Sequence, residues 1–290
     1  MKPSFAIVGC GKVGTALGVF LTRAGYRAAG FASKSLSSAK LAAETIPSTH
    51  YSDVPWEITR KADVVFITTP DGVIQDVCNS ISQNRGFANN AVVFHCSGAL
   101  PSTILSNAKK CSAFTGSMHP LQSFASVDFN VNPFRSIVIS IEGENKAVNV
   151  AKEIAANLKA TTVTILTEAK TLYHASAVTA SNYLVTLIDL ALRLICAAGI
   201  ADRDAFHVLK PLIEGTLANI EKTGTMEALT GPIVRGDVET VEKHVEEIGA
   251  KLPDLLPLYK TFGFYTIDIA SKRGAISESC TQALKKLTLP

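Results

Sequence analysis

Hydrophobic positions follow different patterns in the two halves of the chain. Up to about residue 165, short apolar runs alternate with segments in which apolar residues recur every three or four positions. The short runs predict β-strands and the periodic segments predict helices, an alternation typical of a parallel sheet with helices on both faces. The predicted strands are 5–8, 28–32, 63–68, 91–95, 113–117, 136–141 and 161–166, and a helix at 146–158 lies between the last two.

From residue 168 onward the pattern is helical throughout. Apolar residues recur with the helical period over 169–198, 202–222, 237–248, 254–272 and, more briefly, 277–287. We therefore predict a doubly wound, mostly parallel α/β domain at 1–165 and an all-α domain at 166–290. A chain of 290 residues agrees with two domains of about 150 residues each.

Composition narrows the kind of partner. Hydrophobic residues make up 47% of the chain and charged residues 18%, which predicts a globular protein. The net charge of +3 is too small to indicate a nucleic-acid or polybasic membrane surface, so we expect a small-molecule partner. There is neither a signal-peptide h-region nor an uninterrupted apolar run of membrane-spanning length, which predicts a cytoplasmic protein. The six cysteines show no C-x-x-C spacing, which predicts reduced thiols and no metal site.

A glycine motif joins the first predicted strand to the first predicted helix. Its sequence is Gly9-Cys10-Gly11-Lys12-Val13-Gly14. In the strand–turn–helix setting of a Rossmann fold, Gly9 permits the tight turn, Gly11 leaves room for a pyrophosphate, and Gly14 lets helix and strand approach closely. The helix N-terminus then offers free N–H groups to the phosphates. We predict a dinucleotide site here; the alternative is a glycine-rich turn that holds nothing.

The residues after the second strand favour one dinucleotide over the other. An Asp or Glu at this place would accept from the ribose 2′-hydroxyl of NAD, but the sequence reads Ser33-Lys34-Ser35. Hydroxyls and a cation suit a 2′-phosphate, so NADP is predicted over NAD. The alternative is that these residues only cap the following helix.

Two further loops follow strands of the same sheet and should line the ligand site, because ligands of such sheets lie beyond the carboxyl ends of the strands. Thr69 and Pro70 are predicted to contact the cofactor, and Asp71 is interpreted as a helix cap. Ser97 and Gly98 are placed where a nicotinamide ring and the substrate could approach the backbone.

Polar residues of the first long C-terminal helix fall on one arc when each residue advances about 100°. They are Lys170, His174, Ser181, Asn182, Asp189 and Arg193. Such an arc is often only the wet side of a helix. Here the rest of the helix is apolar, and Lys170, His174, Ser181 and Asn182 are types that bind a carbonyl and deliver a proton, so we interpret these four as catalytic.

Two other residues are predicted to take a substrate carboxylate. His119 stands at a strand end in Ser117-Met118-His119-Pro120, and Arg235 stands between helices, where its guanidinium could bind bidentately. Asp237 is interpreted as a helix cap and His95 as a structural histidine.

These motifs resemble a family of two-domain proteins in which a Rossmann-like half precedes a helical DUF2520 domain. The resemblance covers nearly the whole chain and rests on the glycine motif, the His119 segment, Tyr173-His174-Ala175 with Ala180-Ser181-Asn182-Tyr183, and Thr230-Gly231-Pro232 with Arg235-Gly236-Asp237.

The family is similar to NADP-linked β-hydroxyacid dehydrogenases, including 6-phosphogluconate dehydrogenase, to pyrroline-carboxylate reductases and to deazaflavin-dependent NADP reductases. Some members are regarded as an alternative ketopantoate reductase. The resemblance thus implies reduction of a small 2-oxo acid. In the β-hydroxyacid dehydrogenases a lysine followed four residues later by asparagine binds and protonates the substrate, whereas this chain has Lys170 followed by His174. Either residue could therefore be the proton donor.

The resulting hypothesis is an NADPH-dependent reductase that transfers hydride to a small, ketopantoate-like oxo acid. Two other functions stay open: a non-catalytic NADP-binding sensor or scaffold, and an imine reductase similar to pyrroline-carboxylate reductase. The apolar helical domain also predicts a homodimer, because helices with little polar surface leave patches that a partner covers.

Overall fold

A computed structural model describes residues 2–46, 50–124 and 128–289 of the chain. The chain divides into two compact units, Met1–Thr179 and Ala180–Pro290. The first is an α/β unit and the second is helical. This agrees with the predicted fold class.

The described residues of the first unit form one sheet of eight strands in the order β3-β2-β1-β4-β5-β6-β7-β8. All neighbouring strands are parallel except β6 and β7. The strands are β1 Ser4–Val8, β2 Arg27–Ala32, β3 Tyr51–Ser52, β4 Val64–Ile67, β5 Val92–His95, β6 Phe114–Pro120, β7 Val138–Gly143 and β8 Thr161–Thr164. The seven predicted strands are all present, and β3 is an addition whose two residues are too few to leave a periodic signal.

Helices of the first unit cover the sheet. They are α1 Lys12–Arg23, α2 Leu36–Glu44, α3 Pro55–Thr59, α4 Ile74–Gln83, α5 Ser106–Lys110, α6 Asn145–Asn157 and α7 Lys170–Val178. One buried cluster contains Phe5, Phe66 and Phe94 from the strands with α1 and α6 residues, and a second contains Val8, Ile67 and Val93 with α4 residues. Because side chains alternate along a strand, these clusters lie on opposite faces of the sheet.

One face changes character where the sheet reaches β6 and β7. Across this antiparallel pair, Ser117 lies opposite Glu142 and His119 lies opposite Ser140. All four share one face, while their neighbours Met118, Ile139 and Ile141 join the apolar cluster of the other face. The face that carries Val8, Ile67 and Val93 is therefore apolar at β1, β4 and most of β5, and polar at β6 and β7.

The second unit consists of helices. They are α8 Leu184–Ala197, α9 Asp202–Ala228, α10 Val238–Lys251, α11 Leu256–Lys272 and α12 Glu278–Thr288. Helix α9 is broken at Gly224, whose φ of 79° and ψ of 169° are not helical. Small apolar clusters hold the unit together: Leu190, Ile248 and Leu255 form one, and Val241, Ile267 and Leu284 form another.

A π-helical turn, Thr179–Tyr183, lies between α7 and α8. The two units divide at its first residues, later than the boundary predicted at 165/166. The reason is that α7 continues the chain from β8 and places Lys170 against the sheet, so its turns belong to the α/β unit. A π turn also holds more residues than an α turn, which invalidates the uniform 100° step used for the polar arc beyond residue 179.

One helix among the described residues, Thr167–Ala197, is long and apolar enough by length and composition to cross a membrane. The sequence expectation counted only uninterrupted apolar residues and found none of that length. The first turns of this helix contain Lys170 and Tyr173, which form hydrogen bonds with Ser117 and His119 of β6. Those turns are thus part of a globular unit, and the absence of a membrane segment and the cytoplasmic location remain predictions.

Candidate active site

The glycine loop at the end of β1 has the geometry that each glycine was predicted to need. Gly9 has a φ of +109°, and a Cβ there would lie 2.7 Å from the Thr68 carbonyl carbon. A Cβ on Gly14 would lie 2.1 Å from the Gly9 oxygen, so helix and strand meet at this point. A Cβ on Gly11 would meet nothing within 4 Å. Packing therefore requires glycine at 9 and 14, whereas Gly11 leaves open space above the loop.

Helix α1 begins directly after this open space. Gly11 is its N-cap, and no side-chain hydrogen bond caps the helix. Cys10 turns its thiol toward the Ala32 carbonyl at 3.4 Å, and burial raises the pKa of this thiol to about 12. The thiol is thus a packing group, and Cys10, Lys12 and Val13 can face a cofactor through their backbone.

The segment after β2 is exposed at Lys34 and Ser35 and half-buried at Ser33. Ser35 caps α2, with its Oγ accepting from the Ser38 N–H at 3.4 Å. This cap is compatible with a cofactor contact, so the role of Ser35 toward a 2′-phosphate also stays a prediction. Ser33 and Lys34 keep their predicted role toward a 2′-phosphate.

Asp71 is not the helix cap that was predicted. It begins a 3₁₀ turn, Asp71–Val73, without capping it, and its carboxylate accepts a hydrogen bond from the Ser97 hydroxyl at 2.8 Å. The Ser97 oxygen also accepts from the N–H groups of Ala99 and Leu100, at 3.1 and 3.0 Å. Ser97 therefore braces its own loop, and its hydroxyl is already bonded before any ligand arrives.

Gly98 lies against two imidazole rings. A Cβ at this position would be 2.7 Å from Cδ2 of His174 and 2.9 Å from both Cε1 and Nε2 of His119. The loop after β5, the end of β6 and the middle of α7 consequently meet at one point. The structure thus brings together three predicted site residues, Gly98, His119 and His174.

Lys170 lies beneath this point with 1% of its surface exposed. Its Nζ donates to Ser117 Oγ at 2.5 Å. Burial lowers the pKa of Lys170 to about 8, and the Glu142 carboxylate is the largest influence in the opposite direction. Lys170 is thus a buried cation held between a serine hydroxyl and a nearby carboxylate.

Glu142 is itself buried, at 2% exposure, and sequence analysis gave it no role. Its carboxylate accepts from the Ser102 N–H at 2.8 Å, the Ser102 hydroxyl at 2.7 Å and the Thr167 hydroxyl at 2.8 Å. These three bonds satisfy the buried carboxylate oxygens. A glutamate directly after the apolar end of a predicted strand was the signal that could have revealed it.

Tyr173 was also missed as a site residue, although it belongs to a motif that carried the family resemblance. Its hydroxyl lies 3.0 Å from His119 Nδ1, and the two rings meet edge to face with centroids 5.8 Å apart. Three positions before it on α7, Lys170 places Nζ 5.9 Å from the centre of the Tyr173 ring. One turn of α7 therefore supplies both residues.

The buried His95 and the half-buried His119 are uncharged at neutral pH. Burial lowers the pKa of His119 to about 4, assisted by electrostatic interactions with Lys170 and His174 and opposed by Asp71. Burial likewise lowers the pKa of His95 to about 3, with Lys170 adding to the effect. The Nδ1 of His95 accepts from the Ser97 N–H at 3.2 Å, which agrees with a structural histidine.

Three predicted site residues belong to the second unit. Ser181 and Asn182 lie exposed in the π turn, and Arg235 is exposed in the loop before α10. Lys170 belongs to the first unit, and the catalytic and carboxylate-binding roles of these three residues remain predictions. Asp237 caps α10 as predicted, accepting from the Thr240 N–H at 3.1 Å.

Two features of the first unit fit a bound dinucleotide. The open space above Gly11 would accept a pyrophosphate beside the uncapped N-terminus of α1. At the end of the adjacent β4, the Thr69 hydroxyl is buried and bonds to none of the described residues, so a ligand group could satisfy it. No cluster of three or more potential metal-binding side chains occurs within residues 2–46, 50–124 and 128–289.

The glycine loop and the buried lysine lie on one line across the sheet. Val8, Ile67, His95 and Ser117 are register partners from strand to strand, and the first three end their strands. With strands about 4.8 Å apart, Ser117 is roughly 14 Å from the glycine loop. Ligands of open parallel sheets bind along this edge. The fold and the site therefore define a Rossmann-type dinucleotide-binding unit with a group of titratable side chains at its far end.

Comparison with family models agrees with this description. Residues 2–120 match the Rossmann-like domain, and residues 137–266 match the domain of unknown function DUF2520. The chain therefore combines a Rossmann-like domain with a DUF2520 domain, as its motifs indicated. No curated protein matches the sequence.

Three solved structures illustrate the similarity of fold. A Thermotoga maritima protein is 27% identical, with a TM-score of 0.72 over 93% of this chain and 99% of that one. A candidate NADP oxidoreductase from Bacteroides fragilis is 23% identical, with a TM-score of 0.71 over 92% and 98%. Pyrroline-5-carboxylate reductase from Coxiella burnetii is 14% identical, with a TM-score of 0.60 over 99% of both chains.

Proposed function

We propose that the protein is an NADPH-dependent reductase that transfers hydride to the carbonyl carbon of a small 2-oxo acid such as ketopantoate. The observation that carries the proposal is the row from Val8 to Ser117, which has the open space above Gly11 at one end and the buried Lys170 side chain at the other. The fold shared with a candidate NADP oxidoreductase supports the same class of activity.

The cofactor would be held chiefly by backbone. Gly9 to Gly14 would receive the pyrophosphate, Thr69 and Pro70 would line the adjacent loop, and Gly98 would face the nicotinamide. When bound, NADPH supplies the hydride. Ser33 and Lys34 support a preference for NADPH over NADH, because a cation and a hydroxyl match a 2′-phosphate.

The chain itself must supply a proton and stabilise negative charge. Hydride adds two electrons to the carbonyl carbon, the C=O π pair moves to oxygen, and one proton completes the alcohol; the oxo acid is reduced and NADPH oxidised. Lys170 and His174 are the two candidate donors, and the ammonium of Lys170 would also attract the substrate carboxylate. Ser181 and Asn182 are proposed to orient the substrate, and His119 or Arg235 to bind its carboxylate.

An NADPH-consumption screen tests this function. Ketopantoate comes first, followed by other 2-oxo acids and by cyclic imines, because the fold is shared with a pyrroline-carboxylate reductase. We expect turnover of an oxo acid; turnover of imines alone would replace the proposed substrate class. Tight NADPH binding without turnover of either class would instead favour a sensor or scaffold.

Cofactor preference has its own test in the Lys34→Ala variant. We expect the Kd for NADPH to rise about tenfold, as for the loss of a charge-assisted hydrogen bond, while the Kd for NADH stays constant. Lys40→Ala, on α2, is the control because Lys40 pairs with Glu44 at 3.9 Å. Equal effects of Lys34→Ala on both nucleotides would contradict the preference.

The proposed assembly is a homodimer formed through the second unit. Large apolar side chains there are more than half exposed, namely Tyr183, Val185, Leu212 and Tyr265. Such surface is normally covered by a partner, and a second copy is the partner proposed here. Light scattering after size exclusion should give twice 30.8 kDa, and a mass of 30.8 kDa would contradict the dimer.

A further inference from the structure

We propose that Tyr173 is a positioning residue that holds His119 in the tautomer with its proton on Nε2. In this form Nε2–H would donate a hydrogen bond to an oxygen of the substrate beside Gly98. The inference rests on the proposed function only for the identity of the reaction. The tautomer itself is a property of the free protein and can be measured without any substrate.

The contact between the two residues restricts His119 at both its ring and its nitrogen. The hydroxyl of Tyr173 is 3.0 Å from Nδ1, which is a full hydrogen bond, and the rings pack at 85° to each other. Tyr173 projects from α7. Three residues earlier on this helix, Lys170 bonds to Ser117 of β6, the strand that also carries His119. The imidazole is therefore held from one side by a helix that is itself anchored to the sheet.

The charges around His119 leave it with a single ring proton. His119 is faced by Lys170, Tyr173 and His174 on α7, by Asp71 after β4 and by His95 on β5. Burial and the positive charges outweigh Asp71, so the imidazole is neutral at pH 7. A neutral imidazole has one donor and one acceptor nitrogen, and the hydrogen bond at one nitrogen decides the state of the other.

The direction of the bond follows from the chemistry of the two groups. Among the described residues, the Tyr173 hydroxyl bonds to His119 Nδ1, whereas the buried Ser140 hydroxyl opposite His119 has no hydrogen-bond partner. A phenol has one proton to donate, and the unprotonated nitrogen of a neutral imidazole is a good acceptor. The phenol proton therefore points to Nδ1 of His119.

The remaining nitrogen lies against the loop after β5. Nε2 is 2.9 Å from the position of a Cβ on Gly98, so the ring packs where only glycine leaves room, and the side chain of His119 is half-buried. The loop is braced by the bonds of Ser97 to Asp71, Ala99 and Leu100, so the distance is set by rigid neighbours. A neutral N–H at this place is suited to a carbonyl or carboxylate oxygen, because it stabilises developing negative charge and keeps its own proton.

Nitrogen-15 NMR of histidine-labelled protein measures the tautomer directly. We expect wild-type His119, assigned by its loss in His119→Gln, to show protonated Nε2 and unprotonated Nδ1 at pH 7. Tyr173→Phe keeps the ring contact and removes the hydroxyl, so His119 should become a mixture of both tautomers. A wild-type spectrum with the proton on Nδ1, or an unchanged spectrum in Tyr173→Phe, would overturn the proposal.

The chain contains a matched control in its second unit. Tyr259 places its hydroxyl 2.8 Å from Nδ1 of His244, and those rings meet at 82° with centroids 6.1 Å apart. Tyr259→Phe removes the same kind of bond away from the site. It should leave the His119 signals and kcat unchanged, which separates the effect of Tyr173 from a general effect of losing a tyrosine hydroxyl.

Kinetics with the substrate found by the screen complete the test. Tyr173→Phe should lower kcat about tenfold with little change in the KM for NADPH, since only a hydrogen bond to the reacting oxygen is weakened. His119→Gln presents an N–H near the position of Nε2 and should retain more activity than His119→Ala. Equal activity of these two His119 variants would contradict the donor role. If the NMR result holds and no substrate is reduced, the proposed reaction fails and the tautomer assignment stands.

Discussion

The carboxyl edge of the sheet is constructed in two ways. At β1 it consists of backbone, with glycines at 9, 11 and 14 and a helix end that no side chain caps. At β6 and β7 it consists of side chains, with a buried lysine, a buried glutamate and two buried or half-buried histidines. The first region offers open space to a ligand, and the second offers side chains, among which burial lowers the pKa values of Lys170, His95 and His119. Substitutions should therefore affect the two regions differently.

Replacing the buried cation should have the largest effect. Lys170→Met keeps the length of the side chain and removes the charge and proton. We expect kcat to fall at least about 100-fold, as for loss of a general acid, with NADPH affinity nearly unchanged. Lys243→Met on α10, where Lys243 pairs with Glu239, is the control. A kcat within a few-fold of wild type would remove Lys170 from the mechanism; the same test on His174→Ala decides between the two proposed donors.

Two glycine substitutions should distinguish a glycine needed for ligand binding from one needed for the packing of α1 against β1. Gly11→Ala adds a methyl group to open space, so the free energy of unfolding should change little while the Kd for NADPH rises about tenfold or more. Gly14→Ala forces a methyl group against the Gly9 oxygen and should destabilise the protein by about 1–3 kcal/mol or more.

Chemical denaturation and fluorescence titration with NADPH measure both quantities. If Gly11→Ala binds NADPH as wild type does, the pyrophosphate does not lie above the loop. If Gly14→Ala is as stable as wild type, the close approach of α1 to β1 does not contribute to the free energy of unfolding.

A smaller effect should appear in the pH dependence. If the ammonium form of Lys170 is the active one, activity falls as the pH rises through its pKa of about 8. Glu142 favours that ammonium, so Glu142→Gln lowers the pKa of Lys170 and moves the alkaline limb of the kcat profile to lower pH.

The control is Glu144→Gln. Glu144 also accepts from a backbone N–H, that of Thr115, but pairs with Lys109 at 3.0 Å instead of Lys170. The alkaline limb of the kcat profile of Glu144→Gln should not move. A limb that moves to higher pH in Glu142→Gln, or equally in both variants, would contradict the coupling between Glu142 and Lys170.

Sequence reasoning succeeded where a structural requirement can be met by only one type of residue. The glycine motif was predicted position by position, and the structure gives each glycine the expected surroundings. The strands followed from apolar runs because buried parallel strands need them. It failed on β3, which is too short, and on the polar arc, because a π turn cannot be seen in hydrophobic periodicity.

The missed site residues have a common cause. Glu142 and Ser117 meet only because β6 and β7 are antiparallel, and Tyr173 meets His119 only because α7 packs on that pair. These contacts join residues 25 to 54 positions apart. Hydrophobic periodicity does not predict contacts between residues so far apart in the chain. Gly9 and Gly14, in contrast, are linked by a short turn that a local motif predicts.

The antiparallel pairing of β6 with β7 also sorts the site by depth. His119 and Ser140 form the row nearer the end of β6, and Ser117 and Glu142 form the row two residues further in, about 7 Å away along the strand. The outer row contains the neutral His119, and the inner row contains Glu142 and the serine to which Lys170 donates. A single strand reversal thus separates a neutral hydrogen-bonding group from the ammonium of Lys170 by two residues of strand.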